Sequence, residues 1–133
     1  MSVFRFHIVL VEDDEDDALL ATEAFYENGE IYDIIWLKDG VELMEYLESG
    51  LTPDLIVLDV NMPRMDGREA LSLIKSNPKF KTIPVVILTT TYDPSFRDQF
   101  IELGADDFYT KPSESEEIQK IIKDISEKHL IRI

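Results

Sequence analysis

HIVLVEDDEDD, residues 7–17, joins a run of β-formers to six consecutive carboxylates. A short unbroken Val/Ile/Leu run suits a strand covered on both faces, and the abrupt change to acids marks its end. The acids then divide. Asp14 is placed to cap a following helix, and Glu15, Asp16 and Asp17 fill its first turn, where exposed N–H groups and the helix dipole favour negative charge. Glu12 and Asp13 belong to the strand end itself, where like charges repel unless something positive intervenes.

Outward from this stretch, the same alternation repeats. His7–Val11, Ile34–Leu37, Leu55–Asp59, Val85–Thr89 and Asp106–Tyr109 read as strands. Between and after them come segments of helical period: Ala18, Thr22 and Phe25; Leu43 and Leu47; Ala70 and Ile74; Phe96, Phe100 and Leu103; Ile118, Ile121, Ile122 and Ile125. Strands apolar on both faces, each followed by a crossover helix, imply an open parallel α/β sheet. Punctuation agrees with that division. Asn28-Gly29 and Gly104 read as helix stops, and Asp93-Pro94 as an N-cap followed by proline at the first helical position.

The totals bound what such a sheet could do. At 133 residues, with neither a long linker nor an internal repeat, the chain is expected to form one domain over 1–133. A net charge of −15, from 28 acids against 13 bases, repels a phosphate backbone, so no nucleic-acid partner is expected. The absence of cysteine removes disulfides, thiolate metal sites and thiol nucleophiles together. The apolar start is too short for a membrane span and lacks a cleavage pattern, so a cytoplasmic protein with no membrane partner is expected.

In parallel α/β sheets, ligands sit outside the carboxyl ends of the strands. Those ends bring Glu12 and Asp13, Asp59, Thr89 and Thr90, and Thr110 and Lys111 to one rim. Clustered carboxylates facing each other call for a cation, and oxygen-only donors suit a hard divalent ion such as Mg2+, which keeps waters and phosphate oxygens at its other positions.

With LDVNMPRMDG around Asp59, IPVVILTT ending in Thr89 and Thr90, and FYTKP around Lys111, the chain resembles the receiver domain of the two-component response-regulator family. The resemblance covers essentially all of it. Its specificity lies in joint spacing: an acidic pair ending the first strand, an acid ending the third, a hydroxyl 30 residues beyond and Lys-Pro another 22 on. It implies a doubly wound five-stranded sheet of order 2-1-3-4-5 flanked by five helices. It also implies Asp59 as phosphoacceptor, and Mg2+ held by Asp13, Asp59, the Asn61 backbone carbonyl and, through water, Glu12. Lys111 and Thr89 would serve the phosphoryl oxygens, and the Lys111–Pro112 peptide would be cis.

By the same resemblance, Thr89 and Phe108 match the family's switch positions, a hydroxyl that moves toward the phosphoryl group and a ring that turns inward behind it. Tyr109 should point to the opposite sheet face. The implied partners are a histidine kinase or phosphotransfer protein and an unidentified downstream protein. A homodimer through the fourth helix, last strand and last helix is a further expectation, with Tyr92, Phe96, Leu130, Ile131 and Ile133 near that surface or the chain end. VEDD, LDVNMPRMDGRE and IPVVILTTT resemble single-domain regulators paired with phytochrome-type or hybrid histidine kinases, and no separate output domain is expected.

Two other functions share parts of this pattern. A Mg2+-dependent hydrolase with an aspartyl-phosphate intermediate would need a second acid two residues past the nucleophile, where Asn61 stands. A receiver-like interaction module that never accepts phosphate would not need the full acid set. An ATP-using kinase is disfavoured because no G-x-x-x-x-G-K-[ST] loop is present. The chain is read as no enzyme beyond its own phosphorylation and dephosphorylation, and His7 and His129 as structural.

Overall fold

The computed structural model describes residues 5–28, 32–90 and 93–130. Strands and helices alternate as β1 Phe6–Val11, α1 Glu15–Glu27, β2 Tyr32–Leu37, α2 Gly40–Glu48 and β3 Leu55–Leu58. They continue as α3 Gly67–Ser76, β4 Val85–Thr89, α4 Pro94–Glu102, β5 Asp107–Thr110 and α5 Ser115–His129. Every strand pair is parallel, and the order is β2-β1-β3-β4-β5.

Alternation along each strand divides the apolar residues between two cores. Ile8, Leu10, Leu55, Val57, Val86 and Leu88 pack under α1 and α5 with Ala18, Ala21, Phe25, Ile122 and Ile125. Val9, Val11, Ile56, Leu58, Val85 and Ile87 pack under α2, α3 and α4 with Leu43, Ala70, Leu71, Ile74 and Phe100. Burial on both faces explains why these strands read as continuous apolar runs.

Element boundaries differ from the sequence reading by one or two residues. β2 starts at Tyr32, not Ile34, because Tyr32 pairs with Phe6 and sets its buried ring against Phe25 at 5.3 Å. β3 stops at Leu58, so Asp59 lies just past the strand while its amide still donates to the Val11 carbonyl at 3.0 Å. Asp106 precedes β5; its carboxylate accepts from the Val85 amide at 2.8 Å and from Lys75 at 3.1 Å.

Four helices begin at an aspartate whose carboxylate accepts an N–H of the first turn: Asp14 from Asp17, Asp39 from Glu42, Asp66 from Glu69 and Asp93 from Ser95. Each such cap is worth about 1 kcal/mol. Pro94 occupies the first turn of α4 as expected, Gly104 follows that helix at φ 110°, and Asn28 is the C-cap of α1.

Gly67 matters most for the site. A Cβ there would stand 2.4 Å from the Asp59 carbonyl oxygen, so only glycine lets the start of α3 press against the Asp59 peptide. The approach to α3 is held from the other side by Arg64, at φ 65°, whose Nε donates to the buried Asp39 carboxylate at 2.7 Å. The Lys111–Pro112 peptide is trans, not cis as the resemblance implied. Trans is the ground state of an X-Pro bond by about 0.5–1 kcal/mol unless its surroundings compel otherwise. Among the described residues, no helix is long and apolar enough to cross a membrane.

Candidate functional site

At the carboxyl rim of the sheet, β1 delivers Glu12 and Asp13 beside Asp59 from β3. One carboxylate oxygen from each lies within 4.8 Å of the others. Glu12 and Asp59 are buried and Asp13 is exposed, so the cluster opens to solvent on Asp13's side. Lys111, brought in from the end of β5, bonds Glu12 directly, reaches Asp17 at 3.0 Å and stands 3.9 Å from Asp59. Its amide donates to the Thr89 carbonyl at 2.7 Å, which ties the ends of β4 and β5 together. The fully buried Thr89 hydroxyl bonds the Asp59 carboxylate, and Asp59 also accepts from the Val60 amide at 2.8 Å.

Leu10, Leu20, Val57, Leu88 and Ile118 line, together with Glu12, Asp17, Asp59 and Lys111, a cavity of about 50 Å³. This apolar lining sets the electrostatics. Burial pushes Glu12 up to about 7 against the opposing pull of its bond to Lys111, and the charge of Asp59 adds to the rise. Burial likewise raises Asp59, with Lys111, Glu12, the Val60 amide and Thr89 resisting. Lys111 alone would be lowered by burial, yet its bond to Glu12 and the charges of Asp59 and Glu12 carry it net upward, so it stays an ammonium. One buried cation thus faces more negative charge than it can balance. The surplus, the all-oxygen donors and the open side fit a hard, partly hydrated divalent cation.

Residues 8–123 match the family model described as the response regulator receiver domain. The chain belongs to that family. It is 36% identical over 124 residues to the response regulator Rcp1 of Synechocystis sp., covering 89% of this chain and 84% of Rcp1. It is 36% identical over 128 residues to the probable methanogenesis regulatory protein FilR2 of Methanothrix harundinacea, covering 92% of this chain and 82% of FilR2. Among solved structures it is similar to the phosphorylated cyanobacterial phytochrome response regulator RcpA. That match has a TM-score of 0.89 and 35% identity, over 96% of this chain and 95% of the other. It is also similar to the Mn2+-bound form of Rcp1, with a TM-score of 0.86 and 34% identity over 96% of each chain. The family consists of signalling regulators, not enzymes, and its fold is the five-stranded order found here.

Within this receiver domain, Glu12, Asp13, Asp59, Thr89 and Lys111 come together. Asn61 is exposed two residues past Asp59 on the loop to α3. Phe108 stands apart from the cluster. It pairs with Ile87 in the sheet, on the same face as Thr89, and is buried against Phe100 with ring centres 5.9 Å apart. Tyr109 takes the opposite face, as strand alternation requires, and packs on the α1–α5 side. Asp17 was assigned only to a helix first turn, but it also holds Lys111. The signal was available: Asp17, Leu20 and Ala21 lie three to four residues apart and share one flank of α1, which lines the cavity.

Of the residues named near the expected effector surface, Tyr92, Ile131 and Ile133 lie outside the described residues. Phe96 and Leu130 are each partly buried against a core. Among the described residues, Ile101 is the only exposed large apolar side chain on α4, β5 or α5. This receiver face is mostly polar.

Proposed function

We propose that the chain is a phosphorylation-operated switch of a two-component phosphorelay, with Asp59 accepting a phosphoryl group from a histidine kinase or phosphotransfer protein. The observation that carries this reading is the convergence of the Glu12, Asp13 and Asp59 carboxylates within 4.8 Å, with the Lys111 ammonium 3.9 Å from Asp59. That relatives were solved phosphorylated (RcpA) and Mn2+-bound (Rcp1) supports it.

In the reaction, an Asp59 carboxylate oxygen attacks the phosphorus of a phosphohistidine. The new P–O bond makes an acyl phosphate as the P–N bond breaks, and the imidazole leaves with that electron pair. The transition state is loose and spreads charge over three oxygens, so the chain's task is positioning and charge neutralisation. Lys111 is close enough to Asp59 to take one phosphoryl oxygen, and the Thr89 hydroxyl, already bonded to Asp59, can turn to another. Asp13 and Asp59 would hold Mg2+ with the Asn61 carbonyl, and Glu12 would act through water. Bound there, the ion supplies the remaining positive charge for the transferred group. The Val60 amide orients Asp59 by donating to one of its oxygens.

The added charge would be read through Thr89 and Phe108 at the surface of α4, β5 and α5, where a downstream protein or a second copy would dock. Residues 1–133 act as one receiver unit in the cytoplasm. Asn61, in place of a second acid, weighs against a hydrolase. Incubation with Mg2+ and acetyl phosphate, followed by intact mass measurement, tests the proposal. The wild type should gain one phosphate and Asp59→Asn none. Equal labelling of both would place the acceptor elsewhere, and labelling of neither would leave a non-phosphorylated interaction module.

A further inference from the structure

Arg68, in the first turn of α3, reaches across to α4. Its guanidinium carbon lies 5.7 Å from the ring centre of Phe96 and 5.4 Å from that of Phe100, and its Nη2 donates to the Gln99 side chain at 2.9 Å. The two rings stack at 6.4 Å with planes 20° apart, and Phe100 in turn packs on Phe108 at 5.9 Å. An unbroken series of contacts therefore runs from the start of α3 through α4 to the ring in β5.

Both ends of the series are anchored. Gly67, the residue before Arg68, donates its amide to the Val60 carbonyl at 2.9 Å and has no room for a Cβ against the Asp59 carbonyl. Arg68 therefore moves with the peptide of Asp59. At the far end, Arg97 of α4 donates to the Phe108 carbonyl at 3.2 Å, fixing the β5 backbone to the same helix. Phe108 is 7% exposed with Asp59 unmodified, and it carries no hydroxyl that would draw the ring toward water.

We propose that Arg68 is a positioning residue: by spanning Phe96 and Phe100 and bonding Gln99, it ties α4 to the Asp59 peptide and holds Phe108 inward before any phosphoryl group arrives. The proposal rests on the reading of the chain as a switch, but its geometry belongs to the unmodified protein. A ring set inward in advance leaves the Thr89 hydroxyl as the principal moving part on phosphorylation. It also makes the strength of the Arg68 contacts the quantity that sets basal activity.

The test places 4-fluorophenylalanine at position 108 of the full chain and records fluorine NMR without phosphodonor. Wild type should show a dominant buried resonance, insensitive to exchange of H2O for D2O, with a minor solvent-exposed one. Arg68→Ala should raise the population of the solvent-exposed resonance at least about threefold, since even one of the two cation–ring contacts it removes supplies roughly that factor. Arg68→Lys, which keeps a cation over the rings, should restore most of the buried signal, and thermal melts should show all three chains folded. An unchanged spectrum in Arg68→Ala, or a predominantly exposed ring in the wild type, overturns the proposal. Because no phosphate is added, loss of Asp59 labelling in the mass experiment would leave this result standing, and the two readings fail separately.

Discussion

Two polar clusters border β5, one largely buried and one only partly so, and they resolve the same electrostatic problem in opposite ways. At the carboxyl rim, Glu12, Asp17 and Asp59 converge on the single ammonium of Lys111, and burial wins: Glu12 and Asp59 are both displaced upward. On the α5 side, the Tyr109 hydroxyl sits between Asp107 and Asp124 with one proton to share between them, His129 meets Asp107 at 3.1 Å, and Lys128 meets Asp124 at 3.0 Å. Burial would raise Asp107, but His129, the Phe108 amide and Tyr109 outweigh it and hold the carboxyl below its usual range. Asp124 is lowered by Tyr109 and Lys128, while Tyr109 itself is raised, by burial and then by its two acidic acceptors. The satisfied cluster fastens α5 to the sheet. The unsatisfied one stores a demand for positive charge, which a ligand can meet.

The contrast breaks most severely if Lys111 loses its charge. Lys111→Met would leave Glu12, Asp17 and Asp59 around a buried apolar group, at a cost of about 3–5 kcal/mol at pH 8 without divalent ions. Near pH 5 the loss should shrink, since Glu12 can then take a proton. Urea unfolding at both pH values measures this, and an equal loss at each would sink the account of an overloaded cation.

Next in size is the pH response of the unmodified chain. Glu12 lies at about 7 in the folded state against 4.5 unfolded, so its contribution to stability is complete below pH 4.5 and disappears as pH rises through 7. At 1.36 kcal/mol per unit, the 2.5-unit difference corresponds to a loss of about 3 kcal/mol. Asp59, raised in the same sense, adds to it; Lys111 titrates above this window. Chemical denaturation from pH 4.5 to 8 should show this decline in chelator and a flatter curve in millimolar Mg2+. A flat curve in chelator would remove the basis for the cation demand.

The smallest effect belongs to the satisfied cluster. Tyr109→Phe removes one hydroxyl but leaves Asp107 with His129 and Asp124 with Lys128, so the expected cost is about 1 kcal/mol. The Mg2+-induced rise in melting temperature should not change. A reduced rise in this variant would mean that the two clusters are coupled through β5.

The sheet and most of the site could be read from residue order because two simple periods dominate them. Alternation placed Tyr109 on the face opposite Phe108, and acids directly after apolar runs marked the strand ends where Glu12, Asp13 and Asp59 meet. What escaped depends on contacts between segments with no shared period. Arg64 adopts φ 65° to reach Asp39, a conformation unfavourable for a side-chain-bearing residue and recoverable only from the partner it finds. The trans Lys111–Pro112 bond corrects an expectation borrowed from resemblance, since Lys-Pro as a dipeptide specifies neither isomer. Ala21 and Ala24, buried on the inner face of α1, went unnamed because alanine also fills exposed helix positions.

The one tryptophan of the chain, Trp36, donates its indole N–H to the main-chain oxygen of Glu12 at 2.6 Å. Indole emission responds to the polarity and hydrogen bonding of that nitrogen, so events at the carboxylate cluster act on a native fluorophore one bond away. The molecule thus carries its own optical reporter, set on β2 outside the reacting groups, and ion capture can be followed in unlabelled protein in real time.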